Sequence, residues 1–325
     1  MKDVGMSQDR WDPEMRAFTA MMEERGRAFP PVKLELPLDA ARVSNNGPGE
    51  ALAAVSGPAM AESGDRWLPV RGRRLVCRVQ KPRTDAALPV MVYIHGGGWV
   101  WGSIDTHDHI MRGYAAAGDC AIVAPDYALS PEAPFPQALE ECAAVVRWVA
   151  SQGAEWGLDP SRIVIGGDSA GGNLAVAVAL LLRQTDPELK LAGLLLNYGV
   201  YDSRLDTKSY EEFATGHTLT REKMEFYWRC YAPREADRLH PLAAPLRADL
   251  SDLAALPPCL MHVAELDVLA GENHAMEKRL REAGVAVEAT TFPGVLHGFL
   301  RAVGHVAASD RAVAEGGAWL KRMFG

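Results

Sequence analysis

Gly166-Gly167-Asp168-Ser169-Ala170-Gly171-Gly172-Asn173 is the stretch on which the reading of this chain turns. Arg162-Ile163-Val164-Ile165 precedes it, a β-branched run that reads as a buried strand. The Ala/Leu-rich run 174–182 follows it and reads as a helix. A serine with glycines two residues before and two after, at a strand-to-helix junction, marks a turn too sharp for side chains at Gly167 and Gly171. Such a turn lifts the Ser169 hydroxyl above the carboxyl edge of a sheet. The unpaired N–H groups of the next helix lie beside it and favour a nearby oxyanion. An ordinary glycine-rich turn is the bland alternative, and the flanking strand and helix argue against it.

Working outward, strands alternate with helices. Apolar runs at 90–94, 120–125, 192–197, 259–263 and 285–292 read as strands. Residues 106–117, 136–152, 271–283 and 303–323 read as helices. Two further strands at 66–70 and 75–80 flank the turn residues Arg71-Gly72-Arg73. With the strand before the elbow this makes eight strands, mostly parallel, with helices on both faces: an α/β fold with ligands at the carboxyl edge. Near the amino terminus Asp12 and Pro13 open a helix whose apolar face holds Trp11, Met15, Phe18 and Met22. Residues 30–64 are rich in Pro, Gly, Ala and Asn, and read as loop with short helical pieces. The alternation breaks between 201 and 257, where Phe213, Met224, Phe226, Tyr227, Trp228 and Tyr231 cluster. An aromatic group inserted between two strands reads as part of a lid over the carboxyl edge, joined by the amino-terminal helix.

Composition excludes several classes. A net charge of −8 without a basic run argues against nucleic acid and anionic membranes as partners. Five cysteines, odd in number and without Cys-x-x-Cys spacing, suggest free thiols and no zinc site. The first ten residues lack an apolar core, so no secretory signal is visible and a cytoplasmic location is expected.

A serine hydroxyl needs a base to become a nucleophile, and the base needs an orienting group. Asp267 follows the strand ending at Val263, where a carboxylate reaches the next strand–helix loop, with Glu265 as its rival. Asp267 would otherwise serve only as a helix cap. His297, in Pro293-Gly294-Val295-Leu296-His297-Gly298-Phe299 after the last strand, is placed to lie over the elbow. Imidazole is the side chain suited to accept a proton near neutrality, with its second nitrogen donating to the carboxylate. His262, His274 and His305 read as ordinary core or surface groups. Three glycines in His95-Gly96-Gly97-Gly98-Trp99 let the backbone turn N–H groups inward, making Gly97, Gly98 and Ala170 the expected oxyanion donors and His95 a structural residue.

From about Pro82 onward the chain resembles the hormone-sensitive-lipase-like carboxylesterases of the α/β-hydrolase superfamily, the bacterial branch with an Asp before the nucleophile. The likeness rests on the oxyanion stretch, Gly102-Ser103, Asp126-Tyr127, Ser130-Pro131-Glu132, Phe135-Pro136, the elbow, Asp267-Val268-Leu269 and His297-Gly298-Phe299. It implies the α/β-hydrolase fold with a helical cap, and the triad Ser169, Asp267, His297. Its domain layout is a cap segment over 1–60, a catalytic domain over 61–200 and 246–325, and a cap insertion over 201–245. The implied reaction is hydrolysis of short-chain carboxylic esters through an acyl-enzyme, without cofactor or metal, on a small-molecule ester. A homodimer through an edge strand is compatible with it. Two departures stand out: Ala128-Leu129-Ser130-Pro131-Glu132 where members usually carry Arg-Leu-Ala-Pro-Glu, and Ala270-Gly271-Glu272 where they usually carry Arg-Asp-Glu. Trp99, Trp101, His217 and Phe299 are the expected substrate-pocket residues, with Trp101 narrowing it. The alternatives are an amidase or deacetylase on the same machinery, and a small-molecule receptor, which in this superfamily lacks the catalytic histidine.

Overall fold

The computed structural model describes residues 8–70 and 72–325; Arg71, in the first turn expected from sequence, lies outside them. The strands are β1 (Glu62–Val70), β2 (Arg73–Lys81), β3 (Leu88–Ile94), β4 (Ala121–Pro125), β5 (Leu158–Asp168), β6 (Gly193–Asn197), β7 (Cys259–Leu266) and β8 (Val287–Leu296). They form one sheet in the order β1-β2-β4-β3-β5-β6-β7-β8. The β1–β2 and β2–β4 pairs are antiparallel, and the rest are parallel. Every residue of β3, β4 and β6 is buried, as continuous apolar strands covered on both faces must be. This is the eight-stranded, mostly parallel sheet read from the alternation.

The helices are α1 (Pro13–Gly26), α2 (Asp39–Ala53), α3 (Asp108–Gly118), α4 (Gln137–Gln152), α5 (Ala170–Thr185), α6 (Lys208–Glu212), α7 (Arg221–Tyr231), α8 (Glu235–Arg238), α9 (Leu250–Leu253), α10 (Ala270–Glu282) and α11 (Ala307–Phe324). Asp12 caps α1, its carboxylate accepting from the N–H groups of Glu14 and Met15 at 2.9 and 3.0 Å. Trp11, Met15 and Phe18 are buried, whereas Met22 is only partly so. Among the described residues no helix is long and apolar enough to cross a membrane.

The largest departure from expectation is α2. Residues 30–64 contain a fifteen-residue helix that runs through Asn45-Asn46-Gly47-Pro48-Gly49, where propensity alone forbids one. Tertiary contacts override the propensity. Leu38 and Ala41 pack on Val100 and Trp101. Arg42 donates to the carbonyls of Val100 and Ser130, both at 3.0 Å, and pairs with Glu132 at 2.6 Å. Gly47 has no room for a side chain, since a Cβ there would overlap the Phe29 ring. Smaller differences concern ends. The strand expected to stop at 292 continues to Leu296, and the last helix starts at Ala307 after a short 3₁₀ turn, Phe299–Ala302.

Candidate active site

At the end of β5 the chain enters Ser169 with φ 56° and ψ −119°, a conformation that few non-glycine residues adopt. The surroundings impose it. A Cβ at Gly171 would overlap the Ile94 carbonyl, and one at Gly167 would stand 2.5 Å from the same oxygen. Ser169 N–H donates to the Asn197 carbonyl at 2.9 Å, and Asn173 Nδ2 donates to the carbonyls of Val200 and Ala243 at 2.8 Å each. The nucleophile turn is therefore strapped to the strand beside it and to the loop beyond.

His297 follows directly on β8, with Gly298 in the left-handed region (φ 77°) to turn the chain away. Its Nε2 lies 2.9 Å from Ser169 Oγ, and its Nδ1 lies 2.6 Å from Asp267 Oδ2. Asp267 is buried, and its other oxygen accepts from Leu269 N–H at 3.0 Å. The turn that leads into α10 and the orientation of the imidazole thus share one carboxylate, although it does not cap the helix itself. Glu265 is committed elsewhere: it accepts from Gly294 N–H at 2.7 Å and meets Arg10 at 3.3 Å. It fixes the turn that leads into His297, which Asp12 N–H also holds through the Gly294 carbonyl at 2.8 Å.

The stretch 95–99 curls over the elbow. Gly97, Gly98 and Trp99 have φ of 122°, 61° and 60°. Gly97 is required, because a Cβ there would overlap the Trp101 carbonyl. Among the described residues the N–H groups of Gly97, Gly98 and Ala170 have no protein acceptor. Asp168 joins this loop to the elbow by accepting from Gly96 N–H at 3.1 Å and Tyr93 O–H at 2.8 Å. Burial opposes its charge, but His107 at 3.4 Å and the Tyr93 hydrogen bond outweigh that and hold its pKa near 2. His95 stacks on Tyr127 at 4.3 Å, with Nδ1 2.8 Å from the Gly96 carbonyl oxygen. Burial, then the His107 charge, lowers its pKa to about 3, so it stays neutral and structural. His262 is buried against Asn197 at 2.8 Å, and His274 is exposed.

The cavity over Ser169 measures about 190 Å³. Trp101 lines it. Trp99, His217 and Phe299, the other residues expected there, do not. Trp99 is fully buried and stacked on Tyr231 at 4.1 Å. His217 packs on Trp11 and Phe213, and Phe299 lies beneath the site against Tyr198 and Phe292. Large aromatic residues next to a motif fill core before they line a polar cavity. The walls instead come from Asn46, Thr218, Lys223, Tyr227 and Arg301. The sequence reading missed the polar ones. Asn46 lies in a stretch whose pattern suggests loop with short helical pieces, and the signal of the insertion that carries Thr218 and Lys223 is aromatic.

A strained serine at a strand–helix elbow, aligned with a histidine and an aspartate over an eight-stranded, mostly parallel sheet, defines an α/β hydrolase. A family described as alpha/beta hydrolase fold matches residues 91–301. Carboxylesterase NlhH of Mycobacterium tuberculosis is 38% identical over 239 residues, covering 72% of this chain and 74% of that protein. The thermophilic, thermostable carboxylesterase EstE1, cloned from a metagenomic library, is 36% identical with a TM-score of 0.84, over 87% of this chain and 96% of its own. A thermostable esterase from Pseudomonas putida is 32% identical with a TM-score of 0.87, over 97% and 98% of the two chains. The chain belongs to the α/β-hydrolase family, in its hormone-sensitive-lipase-like branch.

Proposed function

We propose that this protein is a carboxylic ester hydrolase that cleaves short-chain esters through an acyl-enzyme on Ser169. One observation carries the reading: the hydrogen-bonded line from Ser169 Oγ through His297 to Asp267, at 2.9 and 2.6 Å. Ser169 Oγ attacks the ester carbonyl as His297 Nε2 takes its proton. Asp267 holds the imidazole in the tautomer that can accept, and stabilises the imidazolium that forms. The N–H groups of Gly97, Gly98 and Ala170 receive the oxyanion of the tetrahedral intermediate. His297 then returns the proton to the departing alkoxide, and water repeats the sequence on the acyl-enzyme to release the acid. The relatives named carboxylesterase and esterase support an ester over an amide as the substrate.

The segment before β1 and the region between β6 and β7 act as the cap in this reading, since Asn46, Lys223 and Tyr227 reach the cavity from α2 and α7. A fluorophosphonate should label Ser169, and Ser169→Ala should keep the fold while losing turnover of p-nitrophenyl acetate by about 10⁴–10⁶-fold. A variant with near-native turnover, or labelling at another residue, would overturn the assignment.

A further inference from the structure

The cavity over Ser169 carries two cations that the hydrolytic steps do not use. Lys223 lines it from α7, and Arg301 lines it from the turn four residues beyond His297. Lys223 Nζ donates to the Thr218 carbonyl at 2.8 Å, and Thr218 Oγ1 donates to the His297 carbonyl at 3.0 Å. The ammonium is thereby tethered to the loop that presents the base. Among the described residues neither cation has a carboxylate partner. The two aspartates of the site are already engaged, Asp168 with Tyr93, Gly96 and His107, and Asp267 with His297 and Leu269. Partial burial, then the Arg301 charge, pushes the Lys223 ammonium below its ordinary range. Like charges placed together at a partly desolvated mouth are costly unless an anion comes between them.

The neighbouring wall also offers donors. Asn46 Oδ1 already accepts from Gly102 N–H at 3.0 Å and from Asn45 Nδ2 at 3.4 Å, which leaves its own Nδ2 without a protein acceptor among the described residues. A space of about 190 Å³ restricts the ligand to a small molecule. A polar, cation-rimmed cavity fits an ester whose far end is charged better than one whose far end is an alkyl chain.

We infer that the preferred substrate is a small ester that itself bears a carboxylate, which Lys223 and Arg301 receive while the ester carbonyl lies over Ser169. The inference rests on the hydrolytic reading above. The reaction adds one water across the acyl C–O bond: Ser169 Oγ bonds to the acyl carbon as the alcohol departs with the proton from His297, and water then displaces Ser169 to give the free acid.

The test compares charged and neutral partners of one size: monomethyl succinate with dimethyl succinate for a carboxylate on the acyl side, and acetoxyacetate with its methyl ester for one on the alcohol side. In at least one pair the anionic ester should show a kcat/KM about tenfold above its neutral partner, mainly through KM. Lys223→Met and Arg301→Met should each lower that ratio, Lys223→Glu should invert it, and added salt should erode it. Ratios at or below one in both pairs, or ratios that ignore all three substitutions, overturn the inference while neutral-ester turnover leaves the hydrolase reading standing. No turnover of any of the four esters, nor of p-nitrophenyl acetate, would sink that reading and the inference with it.

Discussion

The floor of the cavity, residues 96–98 and the turn at Ser169, takes its shape chiefly from backbone conformation and close packing, whereas its roof, from α2, α7 and the loop before α7, is held by side chains. In the floor, positive φ values at Gly97, Gly98 and Ser169 and the tight packing around Gly167 and Gly171 leave one arrangement open. In the roof, Arg42 bonds to the carbonyls of Val100 and Ser130, Asn46 to Gly102 N–H, and Thr218 to the His297 carbonyl. In the proposed function the floor supplies the reaction and the roof supplies the choice of substrate. Oxyanion donors must be preorganised to help a transition state, so local rigidity suits the floor. Side-chain contacts change more easily without loss of the reaction, so the roof is where specificity is written.

Gly98→Ala breaks this comparison most sharply, because it acts where floor meets roof. The new Cβ would stand 2.5 Å from the Tyr227 ring, on a backbone with φ 61°. Either the loop shifts and its N–H leaves the oxyanion position, or Tyr227 is displaced. The expected loss in kcat is about 10²–10³-fold, read with p-nitrophenyl acetate. Tyr227→Ala in the same background separates the two routes: recovery of kcat assigns the damage to the clash, and no recovery assigns it to the strained backbone.

Acid tests the buried packing around the floor. His95, His109 and His262 are buried, and burial, the first cause for each, lowers their pKa values to about 3, 4 and 3. In the unfolded chain such imidazoles take up protons at about pH 6.5. The unfolded state therefore binds more protons between that pH and the folded values, and stability falls as pH drops through the window. Asp168, held near pKa 2 when folded, pulls the same way at lower pH. The melting temperature should decline from neutral pH toward pH 4 by several degrees, roughly the shift that a few kcal/mol produces in a chain of this size. A flat profile would contradict the neutral burial of these histidines.

Trp101→Leu probes the roof side with the smallest effect. Trp101 is 7% exposed, packed with Leu38, Ala41 and Val100, and borders the cavity. Shortening it should raise turnover of longer acyl chains relative to acetate by a few-fold, below the roughly 10–200-fold that one methylene in a closed hydrophobic pocket can yield. An unchanged chain-length profile would remove Trp101 from the determinants of acyl size.

The eight strands, the elbow and the approach of His297 to Ser169 were legible in the chain because each is a local pattern: a buried apolar run, a glycine spacing, a residue just past a strand. The choice of Asp267 over Glu265 was not open to periodicity alone, and the structure shows why. Glu265 lies near the end of β7 and Asp267 just past it, and Glu265 is drawn to Gly294 N–H and Arg10 while Asp267 meets the imidazole. The extent of α2, where the sequence suggests only short helical pieces, and the polar walls of the cavity lay beyond sequence reading. Asn-Asn-Gly-Pro-Gly carries no helical signal, and it folds as helix only because Phe29, Trp101, Ser130 and Glu132, distant along the chain, supply the packing and hydrogen bonds. Lys223 and Arg301 likewise stand 78 residues apart in sequence (301 − 223) and become neighbours only when the insertion folds over the sheet. What the sequence by itself determined is the backbone chemistry, because steric rules act between adjacent residues. What only the tertiary structure decided is the company the charges keep, because electrostatics and packing depend on distance in space.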